Sequence, residues 1–338
     1  MGIKDFFSKL KKGKDNPVVD GTSEKYKSYV ESIDDNGLSK MLVESITPEL
    51  VAKRAEYGSD QYEHPLNTIV SAADTEILVK RFFASINSNL YKKVCAFYDG
   101  TDPEGKINGD YQGTKAKTSN PDNGLPVTIS IPLRGDLRGV YEAVHEITHA
   151  FDVKNGDTPT RMVLGEVAPQ CMERLLDQFL HKMSDSELKE FGFNRDVLED
   201  DIKTRRLSTF FSRFNNAESL EEFVRTYNNP KAERKHPNGN RNEDSRYMLA
   251  QIYSTNFEIY RGEEQIARLL TFIESVENDD FRGANRSLGM QIYRENDLQR
   301  KSYILNTISA VDKLVKQKPV VDSSQRAAKV TGEQDFIK

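Results

Sequence analysis

The sequence predicts a mainly helical fold that contains one small β element. Two long stretches, Asn67 to Phe83 and Ser302 to Val315, repeat apolar residues at the three-to-four-residue spacing of an amphipathic helix. Thr47-Pro48-Glu49 supplies the cap, the proline and the acid that commonly begin a helix. By contrast, Val127 to Leu133 alternates apolar and small polar residues, as a strand does.

We expect one helical domain from about residue 23 to residue 316. Residues 1–22 combine an apolar stripe with a lysine-rich linker, and the stripe is formed by Ile3, Phe6, Phe7 and Leu10. This stripe fits either a weak membrane-surface helix or a short helix packed on the body of the protein. Residues 317–338 have no apolar stripe, which is typical of a disordered polar tail.

The composition narrows the possible functions and compartments. Of the 338 residues 30% are charged, and the net charge of −5 argues against nucleic acid as the main partner. The N-terminus lacks the apolar core of a signal peptide, and no apolar run is long enough to span a membrane. Cys95 and Cys171 are too few for a disulfide framework, so we expect reduced thiols in a cytoplasmic protein.

The amino-acid composition of the chain changes at about residue 99. Residues 99–124 are rich in Gly, Asp, Asn and Thr and predict an exposed irregular segment. The strand that follows is short and bounded by prolines, which favours a position at the edge of a sheet. Such an edge could hold an extended peptide by main-chain pairing, or it could simply brace the next helix.

The next stretch, Val140 to Asp152, contains the pattern His-Glu-x-x-His, formed by His145, Glu146 and His149. No Gly or Pro interrupts it, so local propensity favours a helix. The four-residue step puts both imidazoles on one face, where they can bind a single ion. With five histidines in the chain, chance would give about 0.005 such patterns. A core helix with two hydrogen-bonded histidines is the alternative interpretation.

Glu166 is the predicted third metal ligand. A second helix is expected from about Thr160 to Met183, and Glu166 lies among apolar residues within it. A buried carboxylate needs a partner, and a metal ion can be that partner. Asp152 competes for the role because it shares the helix face of the two histidines. Three ligands from one helix would lie in a line, however, whereas tetrahedral zinc favours a third ligand from another element.

Two histidines and one glutamate form a zinc site whose fourth position is open for water, so one Zn²⁺ is the expected cofactor. Zinc lowers the pKa of that water toward ~7, and Glu146 can accept its proton as the water attacks a carbonyl. The resulting oxyanion needs a donor, commonly a tyrosine or histidine from elsewhere in the chain. Tyr247 is one candidate, since it follows a polar loop and opens a predicted helix; His236, within that loop, is the other.

The block Val140 to Leu176 resembles the zinc-dependent oligopeptidase family of thimet oligopeptidase and oligoendopeptidase F. Glu166 to Glu173 is similar to that family's third-ligand segment, including a second acid seven residues on. Ile107 to Tyr111 is similar to its Gly-x-Tyr loop, and His236 with Ser245-Arg246-Tyr247 is similar to its His-then-Tyr segment. The resemblance implies a helical zincin-type metallopeptidase domain that acts on a peptide or protein substrate.

The sequence also departs from that family. Thr148 stands where the family usually has Gly, and Leu249 and Gln251 replace tyrosines. The sequence is shorter than those enzymes, so a more open cleft could admit a loop of a folded protein. The leading prediction is a zinc metalloendopeptidase. The second is a catalytically weak zinc-stabilised interaction module, and the third is a zinc hydrolase acting on a non-peptide amide.

Overall fold

The computed structural model describes residues 66–108, 113, 115–119, 126–152, 158–211, 241–290 and 297–317. The predicted N-terminal segment, the predicted helix start at Thr47 and nearly all of the predicted tail lie outside these residues. His236 also lies outside them. The domain boundaries at residues 23 and 316 therefore stay predictions.

Helices form most of the described chain, which confirms the predicted fold class. The first two are α1 (Ala72–Ile86) and α2 (Ser88–Asp99), and α3 (Leu137–His149) carries the His-Glu-x-x-His pattern. The others, in chain order, are α4 (Pro159–Leu164), α5 (Val167–Lys182), α6 (Asp185–Glu190), α7 (Arg195–Phe211), α8 (Arg241–Phe257), α9 (Gly262–Glu277), α10 (Phe281–Ser287) and α11 (Asp297–Lys316). Within the ranges given above, none of these helices has the length and apolarity needed to cross a bilayer.

The predicted β element is present as a small sheet of β1 (Gly105–Ile107), β2 (Lys117–Ser119) and β3 (Val127–Ser130). β3 corresponds to the predicted strand, but it lies in the middle of the sheet rather than at an edge. It pairs in parallel with β1 and antiparallel with β2. The flanking prolines, Pro126 and Pro132, lie just outside the paired residues, so they limit the length of the strand without preventing pairing on both sides.

The segment predicted to be irregular supplies the other two strands. β1 and β2 have three residues each, which is too short for an alternating pattern to be visible in the sequence. They form strands because β3 offers hydrogen-bonding partners on both of its edges. The expectation of an entirely irregular segment over residues 99–124 was therefore wrong.

Helix α3 is held inside the core of the described chain. It packs between α1 and α5 and also contacts β2 and β3. Its apolar side chains Val140, Val144 and Ile147 are fully buried, and each such burial contributes about 1.5–3 kcal/mol. Asp136 caps the helix by accepting a hydrogen bond from the Arg138 N–H at 3.0 Å. The side chains near the end of α3 are therefore presented from a rigid support.

The second predicted helix is interrupted at Gly165 and Glu166, so α4 and α5 replace the single helix expected from Thr160 to Met183. Pro169 has no N–H to donate to the Gly165 carbonyl, and a continuous helix would lose that hydrogen bond. A side chain at position 165 would come within 2.6 Å of the Arg161 carbonyl oxygen, so this tight approach requires glycine. The break leaves Glu166 at the start of α5 instead of within a helix.

We expect Phe82→Ala to lower the free energy of unfolding by about 3–5 kcal/mol. The Phe82 ring is fully buried and lies edge-on to Phe83 and Phe179, with centroid distances of 5.1 and 5.8 Å. Urea denaturation followed by circular dichroism measures the loss. Leu305→Ala is the control, since Leu305 is 60% exposed and its removal should change stability by no more than about 0.5 kcal/mol. Equal losses in the two variants would contradict the packing described above.

Candidate metal centre

Two imidazoles lie edge-on to each other near the C-terminal end of α3. His145 and His149 lie one helical turn apart, with ring centroids separated by 4.9 Å. Their side chains are 16% and 13% exposed, so a group bound between them would be largely shielded from water but still reachable. This arrangement is the one expected from the four-residue spacing on a helix.

Glu166 approaches the two imidazoles from the start of α5. Its Oε2 atom lies 3.4 Å from His145 Nε2 and 3.7 Å from His149 Nε2. One ligand atom from each of the three residues lies within 4.8 Å of the others, so the group could hold a metal ion. The third ligand atom comes from a different element than the first two, as tetrahedral coordination favours.

The hydrogen bonding of the cluster fits a metal ion. Glu166 Oε2 is buried and has no hydrogen-bond partner among the described residues. A buried carboxylate oxygen without a partner is costly, and metal coordination would remove that cost. Two imidazole nitrogens with one carboxylate oxygen are also a donor set that zinc and other divalent transition metals accept.

Glu173, one of the acids in the segment that resembles the oligopeptidase family, fixes the orientation of His145. Its Oε1 atom lies 2.9 Å from His145 Nδ1, and it also accepts a hydrogen bond from Arg205 Nη2 at 3.1 Å. When Nδ1 carries the proton and donates it to Glu173, the lone pair of Nε2 points toward Glu166. That tautomer is the one a metal at Nε2 requires.

The pKa values of the two histidines are shifted in opposite directions, and that of Glu166 is lowered. Burial opposes the charged form of His145, but the negative charges of Glu166 and Glu173 and the hydrogen bond to Glu173 outweigh it and raise the pKa to about 10. In His149 burial dominates and lowers the pKa to about 3. Burial would raise the pKa of Glu166, yet the two imidazoles and Arg246 hold it well below its usual range. An anionic Glu166 in this setting is a suitable partner for a divalent cation.

Asp152, the competing ligand candidate, has a different partner. It is almost fully buried, and its Oδ1 atom accepts a hydrogen bond from Arg161 Nε at 2.8 Å. Burial raises the pKa of Asp152 to about 6, although Arg161 opposes the rise. The carboxylate does not belong to the group of converging ligand atoms formed by the described residues.

Glu146 is contacted by the sheet. The Thr118 hydroxyl of β2 lies 2.8 Å from Glu146 Oε2 and 2.7 Å from the Glu146 backbone carbonyl oxygen, so it can donate to either. Burial raises the pKa of Glu146, while the charge of His145 and the hydrogen bond from Thr118 oppose the rise. A carboxylate with a raised pKa is a better proton acceptor near neutral pH than an ordinary one.

The structure describes only one of the two candidate oxyanion donors. His236 lies outside the described residues. Tyr247 is half-buried in the second turn of α8, which begins at Arg241 and so starts before the position that the sequence predicted. Its neighbour Arg246 approaches the cluster, with Nη2 3.9 Å from Glu166 Oε1. Helix α8 therefore borders the candidate metal centre through Arg246, and the donor role of Tyr247 stays a prediction.

No role is predicted from the sequence for four residues around the centre: Thr118, Arg161, Arg205 and Arg246. Thr118 lies in a three-residue strand, inside a segment that predicted irregular structure. Arg205 and Arg246 lie far along the chain from Glu173 and Glu166, on helices whose packing the sequence does not specify. Buried acids near the motif predict that cations must face them, but the pattern cannot say which ones.

Comparison with known proteins identifies a solved structure of low similarity. The chain matches no protein-family model and no curated protein. It is similar to the crystal structure of a "putative peptidase" from Chlamydophila abortus, with 15% sequence identity and a TM-score of 0.46. The match covers 86% of this chain and 56% of that one, so the chain spans little more than half the length of that protein. This similarity does not establish a shared family, and the resemblance to the oligopeptidases stays a prediction.

We expect Glu166→Ala to reduce metal affinity by more than the roughly 10–100-fold typical of changes outside the ligand set. Asp152→Asn should have a modest effect, because the Asp152 carboxylate is paired with Arg161. Metal content after dialysis against zinc, measured by inductively coupled plasma mass spectrometry, compares the two. Glu166→Gln serves as the isosteric control for packing. The reverse order of effects would assign the ligand role to Asp152.

Proposed function

We propose that this chain is a zinc-dependent metalloendopeptidase that hydrolyses peptide bonds in peptides or in an exposed segment of a protein. The observation that carries the proposal is the convergence of His145, His149 and Glu166, with Glu146 in the same turn of α3 and in contact with Thr118. Structural zinc sites fill all four positions with protein ligands, whereas catalytic sites use three and leave one open. The described residues bring together three candidate ligands, His145, His149 and Glu166, which is the number a catalytic site uses.

The zinc ion and the side chains of the protein would supply different parts of the chemistry. A zinc ion bound by these three residues would polarise a substrate carbonyl and lower the pKa of water. Glu146 accepts a proton from the attacking water and returns it to the leaving amine as the peptide C–N bond breaks. Thr118 holds the Glu146 carboxylate through its hydrogen bond, so that the base stays oriented between the two proton transfers.

Strand β2 is the element we propose for aligning an extended substrate. Among the described strands β2 pairs on one side only, with β3, and its Thr118 contacts Glu146. A peptide added to the other edge of β2 would run beside the proposed base, and main-chain hydrogen bonds would supply affinity. β3 already has a strand on each side, so it braces the sheet instead.

A cytoplasmic location is part of the proposal. Cys95 and Cys171 are both free thiols, and Cys171 is buried. Burial raises the pKa of the Cys171 thiol, so it is a poor nucleophile. Thiols that form no disulfide are typical of proteins in a reducing compartment such as the cytoplasm.

A catalytically weak, zinc-stabilised interaction module is the second candidate function. The observation that favours it lies in α8, where Leu249 and Gln251 occupy positions that hold tyrosines in the oligopeptidases. Both are buried, and Gln251 accepts a hydrogen bond from Arg174 Nη2 at 3.2 Å, so neither side chain is available to a substrate. Such a module would bind zinc at the same residues but would not turn over a substrate.

Turnover separates the two candidates. The zinc-loaded protein should cleave members of a quenched mixed-peptide library, and Glu146→Gln should reduce the rate by about 100-fold or more because the base is lost. Glu142→Gln is a matched control from the same helix, since Glu142 is bound by Arg134 at 2.9 Å. Zinc content should be unchanged in both variants. Zinc binding without cleavage in the unmodified protein would favour the interaction module.

Tyr247→Phe should lower kcat by roughly 100-fold and leave KM and zinc content unchanged. The reason is that a phenol O–H can donate to an oxyanion that forms only during the reaction. His236→Ala tests the other candidate in the same assay. Tyr253→Phe is the control, because the Tyr253 hydroxyl is buried and bonded to Asn285. If kcat is unchanged in Tyr247→Phe and falls in His236→Ala, the donor role passes to His236.

A further inference from the structure

We propose that Arg205 is a positioning residue of the metal centre, acting on His145 through Glu173. This inference rests on the proposed function in one respect, namely that His145 is a metal ligand. Arg205 lies on α7, Glu173 on α5 and His145 on α3. Three helices that are separate in the sequence therefore contribute to the orientation of one imidazole.

Two hydrogen bonds connect the three side chains. Arg205 Nη2 donates to Glu173 Oε1 at 3.1 Å, and His145 Nδ1 lies 2.9 Å from the same oxygen. The Glu173 side chain is only 9% exposed, so water competes little for that oxygen. Hydrogen bonds that involve charged groups in such a setting are stronger than those at the surface. The position of the shared oxygen depends on both donors.

Arg205 is itself fixed by a second contact with α3. Its guanidinium carbon lies 5.5 Å from the centre of the Tyr141 ring, within the range of a cation–π interaction. Tyr141 is fully buried and precedes His145 by one helical turn, and its hydroxyl donates to Asp177 at 2.5 Å. Arg205 thus contacts α3 directly at Tyr141 and reaches His145 through Glu173.

Loss of Arg205 should make the orientation of the His145 ring less well defined. With both donors present, Glu173 Oε1 is held between Arg205 and His145, whereas without Arg205 the carboxylate can rotate more freely about its last side-chain bond. The ring of His145 follows Glu173, so the direction of its Nε2 lone pair relative to Glu166 would vary. Metal sites respond to such changes, since partners behind the ligands typically contribute 10–100-fold in affinity.

Arg206 provides a matched control from the adjacent position. It lies on the same helix and is also largely buried, but its partners are Asp177, at 2.7 Å from Nε, and Glu258. Replacing Arg206 removes the ion pairs of α7 with Asp177 of α5 and with Glu258, which follows α8, but neither hydrogen bond of the Arg205–Glu173–His145 chain. An effect that is specific to the metal centre should therefore appear when Arg205 is replaced and not when Arg206 is replaced.

The experiment measures the zinc dissociation constant of the full chain by competition with a chromophoric chelator. Arg205→Met should raise the constant by about 10–100-fold, Arg205→Lys should raise it less because a charge remains, and Arg206→Met should leave it within about twofold. Thermal unfolding is recorded alongside, and Arg206→Met should be destabilised at least as much as Arg205→Met. The visible spectrum of the Co²⁺-loaded protein should shift in Arg205→Met and not in Arg206→Met.

The possible results distinguish a failure of this inference from a failure of the proposed function. Equal affinities for Arg205→Met and the unmodified protein would overturn the inference, and so would equal losses in the Arg205 and Arg206 variants, which would mean a general packing role. If Arg205→Met does not fold, Arg205→Lys against Arg206→Lys decides by the same criteria. Zinc binding without peptidase activity would refute the proposed function but not this inference. Absence of zinc binding by the unmodified protein would refute both.

Discussion

Buried carboxylates surround α3, and a charge inside a protein must be compensated because its desolvation is costly. Three of these carboxylates have an arginine at 2.8, 3.1 and 2.7 Å: Asp152 with Arg161, Glu173 with Arg205 and Asp177 with Arg206. Glu166 differs, since Arg246 is 3.9 Å away and the two imidazoles are 3.4 and 3.7 Å away. A bound cation would complete the compensation of this buried acid. The same need for compensation that places arginines beside the other three acids therefore makes Glu166 suited to face a bound cation.

The local part of this centre could be predicted from the sequence. The spacing of His145 and His149 follows from helix geometry alone, and the apolar neighbours of Glu166 indicated a buried carboxylate that needs a partner. The break before α5 could also have been inferred, because Pro169 removes the donor for the Gly165 carbonyl. The broad apolar pattern from Thr160 to Met183 instead suggested one helix, since periodicity continues across a short interruption.

The non-local part could not be predicted. Thr118 contacts Glu146 only because β2 pairs with β3, and three-residue strands have no pattern of their own. The position of β3 in the sheet depends on β1, which pairs with its other side. Arg205 meets Glu173 because α7 packs against α5, and the sequence gives no register for that contact. In each case a tertiary contact, not a propensity, supplies the missing information.

The departure at Thr148 has a structural explanation. A threonine in place of the glycine usual in the oligopeptidases brings a β-branched, polar side chain into a buried position of α3. Thr148 is fully buried, and its hydroxyl donates to the Val144 carbonyl oxygen at 2.7 Å, so its polar group is satisfied within the helix. The substitution therefore leaves the spacing of His145 and His149 intact. The surrounding helices contribute more to the centre than this position does, since they carry Glu173 and Arg205 behind His145 and Arg246 near Glu166.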